Sequence, residues 1–139
     1  MRIKLSKNWL LVRLEKDEEV ITALLKLANQ QQIKNGWLWG IGAITNPEIA
    51  FYDLQNKKYL TRQFEGNYEV VSLVGNFAQL KGKPVLHAHI VFADAQGNTF
   101  GGHLNRARVA ATLEILILKN QPAVQRKPNP KIGLNLLDL

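Results

Sequence analysis

Apolar and polar positions alternate with a period of two along most of this chain, and a period near 3.6 residues governs one stretch. In that stretch Val20, Leu24, Leu27 and Ala28 recur at helical spacing, with Ile21 and Leu25 widening the stripe. Asp17 stands where a helix N-cap is expected, Glu18 and Glu19 follow where the helix dipole favours acids, and Asn35-Gly36 supplies a stop. A helix over about residues 18–34, packed on a sheet, is the expectation. Arg2–Leu14, with Trp9, Leu10, Leu11, Val12 and Leu14, predicts an opening strand before it.

After the helix the pattern is that of strands. Trp37–Thr45 predicts a buried strand broken by Gly40 and Gly42, and Asn46-Pro47 predicts a turn. Glu48–Leu54 and Lys58–Phe64 form an expected hairpin through Gln55-Asn56-Lys57. Tyr68–Ala78 follows as a strand and Leu80–Pro84 as a loop. In Asn105–Leu118 the series Arg106, Arg108, Ala110, Thr112 and Glu114 alternates with Ala107, Val109, Ala111, Leu113, Ile115 and Ile117, which predicts one long strand. Residues 119–131 form a basic segment with Pro122, Pro128 and Pro130, expected to be extended, and Ile132–Leu139 returns to apolar character and is expected to dock on the body. Together these elements predict one α+β domain over residues 1–139, a mostly antiparallel sheet with one main helix. An open sheet of this kind leaves apolar edges and faces that commonly need an oligomeric partner.

Candidate chemistry gathers in Val85–Leu104, which holds all three histidines of the chain, His87, His89 and His103. Val85–Ala93 reads as a strand, Asp94, Gln96, Gly97 and Asn98 as a turn, and Thr99–Leu104 as the return strand. His87 and His89 share a face with Val85 and Val91, while Leu86, Ala88, Ile90 and Phe92 point the other way. A turn about Gln96 sets residue 89 opposite residue 103, and a bulge at Gly101-Gly102 would shift that register by one. Three imidazoles around one point suit Zn²⁺ or another borderline divalent ion, with an open position for water. The plain alternative is three strand histidines hydrogen-bonded to backbone.

Length, composition and charge narrow the picture. The chain has 139 residues, 46% of them hydrophobic and 21% charged, which fits a soluble globular domain with a proper core. Its longest apolar run, Val109–Leu118, is interrupted by Thr112 and Glu114 and falls short of a membrane span, and no signal peptide is read at the N-terminus. No cysteine is present, so thiolate chemistry and disulfides are excluded, and the cytoplasm is the expected compartment. The formal net charge is +7, and Lys119, Arg126, Lys127 and Lys131 occur in a stretch without an acid. Such a balance is compatible with nucleic acid or another polyanion. Lys57, Lys58, Arg62, Arg126, Lys127 and Lys131 are the candidate phosphate contacts, against the alternative that each is a solvated surface charge.

Four stretches, GAITNPEIAFYD, FEGNYEVVSLVGNFA, LHAHIVFADAQGNTFGGHL and GLNLLDL, stand in the order and spacing of the plant and prokaryote conserved (PPC) domain. The chain resembles that AT-hook-associated family of unknown function over nearly its whole length, as a single-domain prokaryotic member. The resemblance implies a homotrimer and a DNA-binding or regulatory role. It also implies a fold similar to acetolactate decarboxylase, in which His87, His89 and His103 fit the role of zinc ligands. Glu69, Asp94, Arg106 and Arg108 are then possible stand-ins for the acid and cation of that enzyme. The AT-hook itself is missing: Gln125-Arg126-Lys127-Pro128 lacks the glycine of an Arg-Gly-Arg-Pro core. The expected function is therefore DNA association by a trimer that carries a three-histidine metal site. The alternative is a zinc-dependent small-molecule enzyme or sensor, with catalysis the less favoured outcome.

Overall fold

The computed structural model describes residues 1–139. Nine strands and one helix follow in the order β1 (Arg2–Leu5), β2 (Trp9–Glu15), α1 (Val20–Gln30), β3 (Gly36–Asp53), β4 (Lys58–Gln63), β5 (Asn67–Leu80), β6 (Lys83–Ala93), β7 (Thr99–Lys119), β8 (Gln125–Asn129) and β9 (Leu134–Asp138). The sheet runs β1-β2-β7-β3-β5-β8-β9, with β4 on β3 and with β6 bridging β5 and β7. Since β7 also pairs with β3, and β3 with β5, the strands β3, β5, β6 and β7 close a ring of pairings. Every pairing is antiparallel except one parallel contact, Gln79 with Gln125. The expected α+β class and sheet direction hold.

Strict alternation in the sequence becomes alternation of burial. Along β7, Leu113, Ile115 and Ile117 are buried while Glu114, Leu116 and Leu118 are exposed. The buried set joins one hydrophobic cluster of 24 residues, to which α1 contributes Val20, Leu24, Leu27 and Ala28. The helix lies against β6 and β7, under Ala88, Ile90 and Phe92. That packing leaves the opposite face of β6 to the histidines.

Several boundaries differ from expectation, each for a local reason. The helix is shorter than 18–34, and Glu19 rather than Asp17 caps it, accepting from the backbone of Ile21 and Thr22. Asp17 cannot cap because its φ is +68°, outside the extended region that an N-cap requires. The helix stops at Gln30, and Gly36 opens β3, where an added Cβ would lie 2.6 Å from the Leu118 carbonyl oxygen. Asn46-Pro47 does not turn the chain. Asn46 takes φ +49° and β3 continues past it with a shift in register against β7. The opening strand is a hairpin of β1 and β2, and the Leu80–Pro84 loop contracts to Lys81-Gly82 between β5 and β6. The tail extends as β8, and β9 folds back on it.

The register break in β3 is stapled by one carboxylate. Glu48 Oε1 accepts from Asn105 Nδ2 at 3.0 Å, Oε2 accepts from Gln63 Nε2 at 2.9 Å, and Arg106 Nη2 lies 3.2 Å from Oε2. Three strands, β3, β4 and β7, meet at this side chain, two residues beyond His103. The amides of Asn105 and Gln63, more than the Arg106 charge, hold the Glu48 carboxyl below its ordinary 4.5. A lowered folded value means that the unfolded chain binds the proton more readily, so the contribution of Glu48 is complete above about pH 4.5 and fades as pH falls through the lower value. Glu48→Gln should cost about 1 kcal/mol near neutrality, and the gap to wild type should shrink in acid. Urea unfolding of both proteins at the two conditions measures it.

Candidate metal centre

The turn between β6 and β7 is fixed by its own side chains. The Asp94 carboxylate accepts from the backbone of Gln96 and Asn98 and from the Asn98 amide, at 2.9–3.0 Å, and Gly97 takes φ +82°. These bonds to the ionised form, led by the Asn98 amide, lower the Asp94 carboxyl pKa. With the turn set, β6 and β7 pair without a shift and His89 stands directly opposite His103. Gly101-Gly102 introduces no bulge into that pairing.

Opposed residues in a sheet share a face, and the register therefore places the histidines in a larger row. Leu11 opposes Leu116, Leu116 opposes Trp39, Trp39 opposes Val74, Val74 opposes His89, and His89 opposes His103. In the next row Leu118, Trp37, Asn76 and His87 follow one another across the same strands. The three imidazoles thus continue an outward apolar face on which Trp37, Trp39 and Leu118 are each about two-fifths exposed.

The rings converge. Their centroids lie 5.0 Å apart for His87 and His89, 5.1 Å for His87 and His103, and 5.5 Å for His89 and His103. One nitrogen from each falls within 4.8 Å of the others, and His87 Nε2 is 3.2 Å from His89 Nε2. A tetrahedral ion with Zn–N bonds of 2.0–2.1 Å sets its nitrogen ligands about 3.3 Å apart, a spacing that the His87–His89 pair already has. His103 Nδ1 is buried and has no hydrogen-bond partner. An orphaned nitrogen is costly in an ordinary strand histidine, and it tells against backbone hydrogen bonding as the explanation of the cluster.

Protonation is arranged in the same sense. Burial, reinforced by the neighbouring imidazoles and by Arg126, pushes His87 down to about 4, and burial likewise lowers His103. Both rings are neutral near pH 7, the state a metal ligand must have. Tyr59 packs on His103 at 5.2 Å and on Tyr52 at 5.0 Å. The larger surface clefts lie elsewhere. One, of about 770 Å³, is lined in part by Glu19, Gln63, Arg106 and Arg108, and another, of about 650 Å³, by Lys7, Lys34 and Lys119.

The other sequence candidates are spread over the molecule. Asp94 belongs to the turn, Arg106 pairs with Glu48, Arg108 donates to the Asp17 carbonyl, and Glu69 is exposed opposite Ala93. Among the basic residues, Lys57 Nζ donates to the Pro130 carbonyl, Lys127 pairs with Asp138 at 2.7 Å, and Arg62 lies over the ring of Phe64 at 4.5 Å. Lys58 and Lys131 stand exposed. Arg126 turns inward, its Nη2 donating to Asn76 Oδ1 at 2.8 Å. Neither Arg126 nor Tyr59 is marked in the sequence as part of this site, because only tertiary packing sets Arg126 against Asn76 of β5 and Tyr59 against His103 of β7.

Comparison with known proteins agrees with the fold and bears on the site. The model of the Plants and Prokaryotes Conserved (PCC) domain matches residues 1–121. A candidate DNA-binding protein of Bacteroides thetaiotaomicron superposes with a TM-score of 0.95 at 27% identity, over 99% of this chain and 96% of that one. A plant- and prokaryote-conserved protein of Pyrococcus horikoshii superposes at 0.88, with 30% identity over 99% and 95%. A metal-containing protein of Archaeoglobus fulgidus does so at 0.88, with 25% identity over 99% and 97%. The α-acetolactate decarboxylase of Bacillus subtilis, at 15% identity, shares the fold at a TM-score of 0.59 over 91% of this chain and 58% of its own. Bifunctional GlmU proteins of two Synechococcus strains are 26% and 27% identical over 125 residues, and this chain spans under one fifth of their length.

The geometry of the centre depends on close backbone approach at Gly75, where an added Cβ would meet the His87 carbonyl oxygen at 2.6 Å. Gly75→Ala should push β6 away from β5, cost about 1–3 kcal/mol, and shift the His87 ring resonances relative to those of His103. Thermal unfolding and imidazole NMR report the two effects separately.

Proposed function

Because the chain belongs to the Plants and Prokaryotes Conserved (PCC) domain family, we propose that it is a self-associating domain that holds a divalent ion, Zn²⁺ first, on His87, His89 and His103. The observation that carries this reading is the convergence of three ligand nitrogens within 4.8 Å, with a buried, unpartnered Nδ1 on the His103 ring beside it. The metal-containing relative from Archaeoglobus fulgidus supports it. An ion held by three imidazoles with an open position supplies Lewis acidity and a bound water of lowered pKa. The protein's own contribution is to keep the ligands neutral, through burial of His87 and His103, and to hold them in register through the Asp94 turn. This leaves a small-molecule sensor or a metal-dependent enzyme as the role of the open position. The decarboxylase shares the fold, and a shared fold does not transfer a reaction.

Self-association, as the homotrimer implied by the family resemblance, is supported by the exposed face of Leu11, Trp37, Trp39, Ile41, Leu116 and Leu118. No helix is long and apolar enough to cross a membrane. The cytoplasmic setting expected from the sequence forms part of the same reading.

A DNA-associated role is the second reading. It is favoured by the relatives named for DNA binding and by a cleft lined by Lys7, Lys34 and Lys119 without a carboxylate. The exposed Lys58 and Lys131 are the other free cations of the original set.

Two measurements divide these readings. Metal analysis of untagged protein should find about one Zn²⁺ per chain, and His89→Ala should lose it. Protein stripped of metal that takes up none at neutral pH would remove the metal centre. For DNA, retardation of a duplex at low salt should weaken by about tenfold or more on a fourfold rise in salt, the dependence of a few phosphate contacts. Absence of any retardation at low salt ends the DNA reading and leaves the metal centre untouched.

A further inference from the structure

We infer that the histidine centre binds a small oxyanion, a carboxylate or phosphate group, and that Arg126 on β8 is the side chain that recognises it; the inference rests on the metal reading above. A guanidinium carries its charge at every accessible pH and offers five N–H donors. Here Nη1 is spent on the Asn135 carbonyl at 2.9 Å and Nη2 on Asn76 Oδ1 at 2.8 Å, both neutral acceptors. No carboxylate pairs with Arg126, although Lys127 beside it has Asp138. The side chain is half-buried, so its charge is partly withdrawn from water without a counter-ion. An uncompensated charge in that position is unfavourable until an anion joins it.

The surroundings have the same sign throughout. Asn76, which accepts from Arg126 Nη2 at 2.8 Å, stands opposite His87 in the sheet, so the guanidinium is tied to the residue next to the imidazole centre. Tyr59, packed on His103, is the other group that acts on Arg126, and it is a phenol rather than a carboxylate. An ion at the three imidazoles would add two more positive charges. The complement of such a site is a compact anion, one oxygen directed to the imidazole centre and another to the guanidinium.

Arg126 is also held in place. The β8–β9 hairpin that carries it is fastened to the body by Tyr52 Oη donating to the Ile132 carbonyl at 2.8 Å and Lys57 Nζ donating to the Pro130 carbonyl at 2.9 Å. Gly133, with φ +84°, lets Tyr52 approach where a Cβ would sit 2.6 Å from its hydroxyl. A surface arginine serving phosphate contacts would need no such anchoring.

The test uses cobalt-loaded full-length protein, titrated with acetate and separately with inorganic phosphate while the visible bands of the bound Co²⁺ are followed. A saturable shift is expected, and the anion saturating at lower concentration identifies the source. Arg126→Gln should raise the half-saturation roughly tenfold or more at unchanged cobalt content, with partial recovery in Arg126→Lys. Asn76→Asp, which supplies an internal counter-ion and retains the guanidinium, should weaken the anion in the same way. Bound cobalt with no saturable shift, or equal half-saturation in Arg126→Gln, overturns the inference. If wild type takes up no cobalt, the metal reading itself has failed. The Arg126 Nε–H resonance of the metal-free protein then decides, since a saturable shift with either anion sustains the oxyanion site and its absence removes it.

Discussion

The 21 residues of β7 are paired along almost their whole length, and the rest of the structure depends on that pairing. Its last third is flanked by β2 on one side and β3 on the other, and its first five residues pair with β6. The same strand therefore supplies Leu113, Ile115 and Ile117 to the core and His103 to the surface centre. A slip by one residue would exchange its faces, sending Ile115 outward and His103 inward. The Asp94 turn at one end, Glu48 in the middle and the glycines of β3 that admit its backbone all oppose such a slip.

Charge is distributed with a similar economy. Acids are used where donors converge, at Asp94 and Glu48, and are kept away from the imidazole centre. Burial and the Arg126 charge both favour neutral rings, so ligation of an ion does not have to displace protons at neutral pH. The cost of that arrangement is an uncompensated guanidinium, a feature that structural roles alone do not require.

What was legible in the sequence was whatever local chemistry determines. Asp94, Gly97 and Asn98 announce a turn, period-two patterning gives the faces, and together they place His87, His89 and His103 on one patch before any coordinates are known. Residues with two local options were misread. Asp17 and Asn46 each adopt a positive φ, and at both positions contacts with distant segments decide: Asp17 N donates to the Val109 carbonyl, and Asn46 N donates to the Gly66 carbonyl. Pattern marks Arg126 as a basic residue of the tail and not as a neighbour of the imidazoles. Its spacing resembles that of a solvated basic tail, and its partner Asn76 is 50 residues away.

All three imidazoles belong to one hairpin, and this bears on folding. Ligands drawn from distant segments make an ion bind only the native chain, so that its full affinity stabilises the fold. Here the loop between His89 and His103 is short, and closing it costs little chain entropy. An ion of suitable affinity would already find the three nitrogens in a chain that has formed β6 and β7 and little else. Part of its binding energy would then be spent on the unfolded ensemble, leaving less to raise the melting temperature than the affinity alone suggests. In exchange, the ion would bias the chain early toward the one register from which the long strand β7 can grow.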